Sequence, residues 1–265
     1  MSIDQHLAHL EQGRYSPGTI RERHRLLSTL PGNPLTMTRD EILAWWTTRQ
    51  TTIDGEPKAE RSLSAEASHL RAYGRWAIQQ GLADRNPADW LPRIRLPQTM
   101  ARPVSEADLN RLLNAAERST RAMIVLGALA GLRSAEIAAV NWSDIDRDTG
   151  VLWVREGKGK KDRGVVLSAG LLAELGDPGD GRIIGREITG KAVSEIVKRF
   201  MTGQGVEGTA HKLRARYVTR FLAATGDLKA AADAVGHASV TTTAMYAVAS
   251  SDTMRRGAEA AGRIG

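Results

Sequence analysis

The 265-residue chain contains no cysteine, which excludes disulfides, thiolate metal sites and thiol catalysis. No apolar run approaches the length of a membrane span, and the start, MSIDQHLAHLEQGRY, lacks the basic opening and apolar core of a signal peptide. The expectation is a soluble, intracellular protein without a membrane partner. There is no internal repeat and no low-complexity tract, and the carboxylates do not cluster as a two-metal site requires, so neither a metal nor a cofactor is expected. Tyrosine is scarce, with four in the chain, so the setting of each is informative.

What is present is positive charge. A formal net charge of +7 and a pI near 10 favour a polyanionic partner, and the excess is spread over both halves, as suits folded surfaces that touch a backbone in several places. The length favours two domains, each with its own core.

The first hundred residues read as helical. Ser16-Pro17 is an N-cap followed by proline at the first helical position, opening a helix to about Leu30 that Pro31-Gly32-Asn33-Pro34 ends. Thr38 and Glu41 form a capping-box pattern before Ile42, Leu43, Trp45 and Trp46. A long helix follows from about Lys58 to Gln80, its apolar set being Leu63, Leu70, Tyr73, Trp76, Ala77 and Ile78, with Arg61, Arg71 and Arg75 around it to remain in water or meet phosphates. From Asn86 to Pro103, four prolines and no regular period predict an extended connector holding the domain boundary.

The second domain opens with Ser105 capping Asp108, then an apolar helix ended by Gly131, then the short helix of GLRSAEIAAV. VLWVREGKGKKDRGVVL predicts a β-hairpin with a Gly-Lys turn, and helices resume near Thr189. The fold class is mainly α with one small β-hairpin or sheet.

The candidate chemistry lies in that second half. Arg133 stands at an element junction where Glu136, one turn on, can orient it. Lys158 sits between Gly157 and Gly159 in the turn, with Lys160, Lys161 and Arg163 as phosphate contacts beside it. His211 and Arg214 share one helical face and reach one anionic group. His237 and Tyr246 are nine residues apart, which on one helix is a rotation of about 900° and puts them on opposite sides. A break at Gly236 with Ser239 as the next N-cap brings them to one site. Tyr246, flanked by Thr241, Thr242, Thr243, Ala244, Met245 and Ala247, is in a poor setting for a core tyrosine and a good one for an exposed reactive phenol. Taken singly, each group has a plainer alternative: a structural Arg–Glu pair, a solvated basic turn, a chance His–Arg spacing.

Together, GLRSAEI, EGKGKKDRGVVL, HKLR and VGHASVTTTAMY, in this order, resemble the catalytic domain of the tyrosine recombinases, the phage integrase family. The helical first part and the phrase GLADRNPADW resemble that family's core-binding domain. The resemblance implies domains at 1–91 (core-type DNA binding) and 105–265 (catalytic) with a linker at 92–104, and leaves no room for an arm-binding domain. It implies Tyr246 as nucleophile, Arg133 and Arg214 as phosphate clamp, Lys158 as general acid, His211 in proton transfer and His237 on the phosphate. Where many members carry a His after the second Arg, this chain has Ala215. DNA contacts are expected from Arg61, Arg71, Arg75, Lys160, Lys161, Arg163 and Lys212.

The implied activity is site-specific DNA recombination, as a simple integrase or Xer-like enzyme, through a 3′-phosphotyrosine without metal. The partner would be double-stranded DNA, bound by a homotetramer on two sites with a monomer in free solution left open, in the cytoplasm of a bacterial or phage-infected cell. The tail after Tyr246 reads as a short helix that packs on a neighbouring protomer or as a frayed end. Docking of the Tyr246 segment is expected to switch cleavage on. Two alternatives stand beside this reading: a type IB topoisomerase, and a non-cleaving DNA-binding protein of the same fold.

Overall fold

The computed structural model describes residues 2–96, 102–155, 162–237 and 239–246. The chain forms two compact units, Met1–Gln98 and Thr99–Gly265.

In the first unit, α1 (Ser2–Gln12), α2 (Pro17–Leu27), α3 (Arg39–Thr48) and α4 (Glu60–Gln79) surround a core of their own. Ser16 caps α2 by accepting the Thr19 N–H at 3.1 Å, and α2 ends at Leu27, one turn before the expected Leu30. The capping box of α3 is complete, Glu41 N–H to Thr38 Oγ1 at 3.3 Å and Thr38 N–H to Glu41 Oε2 at 2.7 Å. Helix α4 buries Ala67, Leu70, Tyr73, Trp76 and Ala77 against Leu26, Leu27, Ile42, Trp45 and Trp46, the three-and-four spacing of a single apolar stripe. Ile78, expected on that stripe, is exposed.

Helix α1 closes the far side, with the His6 ring 4.8 Å from that of Trp76 and the Tyr73 hydroxyl donating to Ser2 Oγ at 2.7 Å. The expected connector is not extended from its start. Pro87–Trp90 form a 3₁₀ turn, Ala88 and Leu91 join the core, and Asn86 donates to the Arg71 carbonyl at 2.9 Å. Asn86 packs where a Cβ on Gly74 would stand, 2.1 Å from its Oδ1. Only glycine admits this approach, and no local signal in 86–91 reveals it.

The second unit runs α5 (Glu106–Ala115), α6 (Arg118–Leu129), α7 (Ser134–Ala139), β1 (Ile145–Asp146), β2 (Val151–Val154), β3 (Arg163–Val166), α8 (Ala169–Leu175), α9 (Gly190–Gly203), α10 (Ala210–Thr225), α11 (Leu228–Val235) and α12 (Val240–Ala244). The antiparallel sheet has the order β1-β2-β3, with Leu152 opposite Val165. Leu152, Val154 and Val165 turn into the core while Trp153 and Val166 face out, the period of two that one buried face imposes. The hairpin is as expected, with β1 added; its turn, carrying Lys158, Lys160 and Lys161, lies outside the described residues. The tail beyond Tyr246 also lies outside them. Ser105 caps α5 through the Asp108 N–H at 3.0 Å. Helix α6 is nearly all buried, and α10 packs along it. No helix among the described residues is long and apolar enough to cross a membrane.

Candidate active site

The site assembles around one carboxylate. Glu136 sits in the first turn of α7 and is 8 % exposed. It accepts from the backbone N–H and Nη1 of Arg133, at 2.7 and 2.8 Å, and from both Nη atoms of Arg163, at 2.9 and 2.8 Å. Nη1 of Arg214 stands 3.9 Å away. Burial alone would push the carboxyl up, but the hydrogen bonds from Arg163 and then Arg133 outweigh it and hold it down to about 2.

The three guanidiniums share a second set of acceptors. Three consecutive carbonyls at the end of α11 each accept from a different arginine: Ala234 from Arg163 Nε at 3.2 Å, Val235 from Arg214 Nη2 at 2.6 Å, and Gly236 from Arg133 Nη2. These are carbonyls that a helix C-terminus leaves without intrahelical partners, and they carry the negative end of its dipole. Arg214 Nη1 also donates to Gly131, at 2.5 Å. Burial, then the Arg133 charge, lowers Arg214 to about 10, which leaves it a cation at neutral pH. One anion thus faces three cations, and the surplus is positive.

Gly236, with φ +67° and ψ +48°, ends α11 in the left-handed conformation, and Ser239 caps α12 by accepting the Thr241 N–H at 3.2 Å. This is the expected break, and it brings His237 and Tyr246 together, their rings stacked at 6.1 Å. His237 Nδ1 lies 2.8 Å from the hydroxyl of buried Thr243. Burial, then Arg214 and Arg133, lowers His237 to about 4.

Tyr246 departs from expectation. It is 2 % exposed, packed among Ala215, Val218 and Leu222 of α10 and Ala231 and Val235 of α11. The phenol is therefore not exposed, and the segment that carries it is already docked, which counts against docking as the event that switches cleavage on. The small residues around Tyr246 in sequence concealed this because its core comes from two other helices. Its hydroxyl lies 3.0 Å from His211 Nε2, within hydrogen-bonding reach. Burial raises the phenol, with Arg214 pulling the other way. Burial, then Arg214, lowers His211.

Arg163 is a second correction. Its side chain is 10 % exposed and bound to Glu136 and Ala234, so it holds the interior of the site rather than a phosphate on the surface. Nothing in the spacing of Arg163 and Glu136, 27 residues apart, announces the pair. Lys212, at the start of α10, reaches the Glu207 carbonyl at 2.8 Å. In the first unit, Arg61 and Arg75 lie exposed on α4 and Arg71 is half-buried. Among the described residues, no three His, Asp or Glu side chains gather as metal ligands.

Residues 103–252 match the model of the phage integrase family. The chain belongs to that family. It is 32% identical over 206 residues to the tyrosine recombinase XerC of Yersinia pestis, across 70% of this chain and 67% of that one. It is 30% identical over 219 residues to the tyrosine recombinase XerA of Thermococcus kodakarensis, across 77% and 76% of the two chains. This is a tyrosine recombinase of the Xer-like type. The recombinase shares its fold with the Tn1549 transposon integrase in complex with a circular intermediate DNA, at 18% identity and TM-score 0.73 over 98% of both chains. A crystal structure of XerA recombinase aligns over 100% of this chain and 99% of that one, at 22% identity and TM-score 0.53.

Proposed function

We propose that this recombinase cuts and rejoins duplex DNA at specific sites through Tyr246, with the observation that carries the reading being the 3.0 Å contact of the Tyr246 hydroxyl with His211 beside the Arg133–Arg214 pair. An ordinary tyrosine is about one part in a thousand ionised at pH 7, a deficit of roughly 4 kcal/mol. Burial enlarges it, so the proton must leave as the attack proceeds. His211 Nε2 takes it.

The phenol oxygen forms a bond to phosphorus and the bond to the 5′ oxygen breaks, leaving a 3′-phosphotyrosine. Arg133 and Arg214 present planar forks to the non-bridging oxygens, where negative charge builds, and supply the charge that a metal supplies elsewhere. His237 hydrogen-bonds the same phosphate. Lys158 gives a proton to the departing 5′ oxygen, and attack by a different 5′ hydroxyl reverses the sequence and exchanges strands. Because the phosphodiester energy is kept in the covalent link, no cofactor is needed.

Residues 1–91 act as a core-type DNA-binding domain, with Arg61, Arg71 and Arg75 toward the duplex, joined by 92–104 to the catalytic domain at 105–265, whose Lys160, Lys161 and Lys212 add phosphate contacts. The working assembly is a homotetramer on two sites, in the cytoplasm where the DNA lies.

A nicked suicide DNA substrate tests the reading. The wild-type chain should accumulate a covalent adduct and Tyr246→Phe none; an adduct in the phenylalanine variant overturns the assignment.

A further inference from the structure

Thr243 lies one turn before Tyr246 on α12 and is fully buried. Three helical threonines here return their hydroxyl proton to the helix: Thr47 to the Leu43 carbonyl at 3.0 Å, Thr48 to Trp45 at 2.7 Å, Thr225 to Phe221 at 2.9 Å. Thr243 makes no such bond among the described residues. Its hydroxyl instead meets His237 Nδ1, at 2.8 Å.

Which atom donates follows from what each can do. The hydroxyl has one proton and, among the described residues, one acceptor within reach. If Nδ1 were protonated, the hydroxyl would accept from it and its own proton would be left buried without a partner, the costly arrangement. Donation from Thr243 satisfies both groups. The ring is held neutral by its burial, by Arg214 and Arg133, and then by His211 and Arg163, so it carries a single proton. With Nδ1 accepting, that proton is on Nε2.

We propose that Thr243 is a positioning residue that sets His237 as the Nε2–H tautomer, so that the ring offers a donor, not an acceptor, to the phosphate. The role toward phosphate rests on the function proposed above; the tautomer does not. Thr243 and Tyr246 are three residues apart and lie on one face of the turn, and the His237 ring stacks on Tyr246. The element that delivers the nucleophile therefore also sets the proton on the phosphate-binding imidazole. Withdrawing α12 removes both together.

The test uses the full chain with ¹⁵N-labelled histidine, and Thr243→Val and Thr243→Ser. Long-range ¹H–¹⁵N spectra of the DNA-free wild type should show His237 Nδ1 unprotonated and Nε2 protonated. Thr243→Ser should keep that signature and wild-type cleavage. Thr243→Val, of nearly the same shape, should shift toward mixed tautomers and form adduct on the nicked substrate roughly tenfold to a hundredfold more slowly, the range expected for one lost buried hydrogen bond, with DNA affinity unchanged. An Nδ1–H tautomer in the wild type overturns the proposal, as does wild-type adduct formation by the valine variant. Should the valine variant not fold, the wild-type spectrum and the serine variant still decide. Adduct formation by Tyr246→Phe would sink the functional reading and leave the tautomer result standing.

Discussion

Each unit buries one glutamate among cations, and the two clusters do opposite things with the same chemistry. Glu66, 7 % exposed, binds Arg49 through two hydrogen bonds of 3.1 and 3.0 Å and Lys58 through one of 3.0 Å. Burial pushes its carboxyl up, and the two cations more than offset this. Both partners lie at the solvent edge, and the arrangement ties α3, α4 and the chain between them. Glu136 has the same burial but three guanidiniums, one of them 4 % exposed, gathered from the N-cap of α7, from β3 and from α10. The first cluster carries a surplus of one positive charge, held at the solvent edge. The second keeps an excess of positive charge in a place where water screens it little, which is what an anion-binding site needs.

The largest way to break this comparison is to neutralise each glutamate. Glu136→Gln should cost about 3–5 kcal/mol of stability, because it leaves buried cations without their counter-charge, and should abolish adduct formation. Glu66→Gln should cost about 1–3 kcal/mol and leave cleavage by the folded protein intact. Urea midpoints and the suicide substrate read both. Equal losses of cleavage would mean the clusters do not differ in kind.

A smaller change keeps charge and removes shape. Arg133→Lys should slow adduct formation about 10²–10³-fold, since a lysine cannot hold Glu136, Gly236 and a phosphate oxygen in one plane; near-wild-type rates would remove Arg133 from the clamp. Arg49→Lys, the matching change in the first unit, should leave cleavage unaltered.

The gentlest probe is acid. His6 and His237 are both lowered to about 4, His6 by burial, then Arg23 and His9. Each is neutral when folded, whereas the unfolded chain binds a proton near the ordinary histidine value of about 6.5. Their stabilisation is therefore complete above about pH 6.5 and is lost as pH falls from there through about 4. The urea midpoint should fall over that window. His6→Gln should flatten the fall, and a midpoint as steep as wild type in that variant would show that His6 is not buried neutral.

The caps were legible in the sequence because they are local: Ser16, Thr38 with Glu41, Ser105, Gly236 and Ser239 each act within four residues. The pair Arg133 and Glu136 was legible for the same reason. The helices α1 and α8 carry no signal strong enough to single them out. The neighbours of Tyr246 in the chain are small, which points to exposure, while the apolar atoms that cover it belong to α10 and α11. The lysines before Arg163 point to a surface cation, while its acceptor is on another element. Burial and ion pairing between distant residues are tertiary facts, and short-range pattern does not encode them.

Three arginines from three elements hold three successive peptide oxygens at the end of α11. They grip main chain, not side chains, so the identities of Ala234 and Val235 matter for packing while their count along the chain matters for everything downstream. One residue added or removed before Ser239 would offset every prong together and carry His237 away from its place. The stretch can drift in composition but not in length.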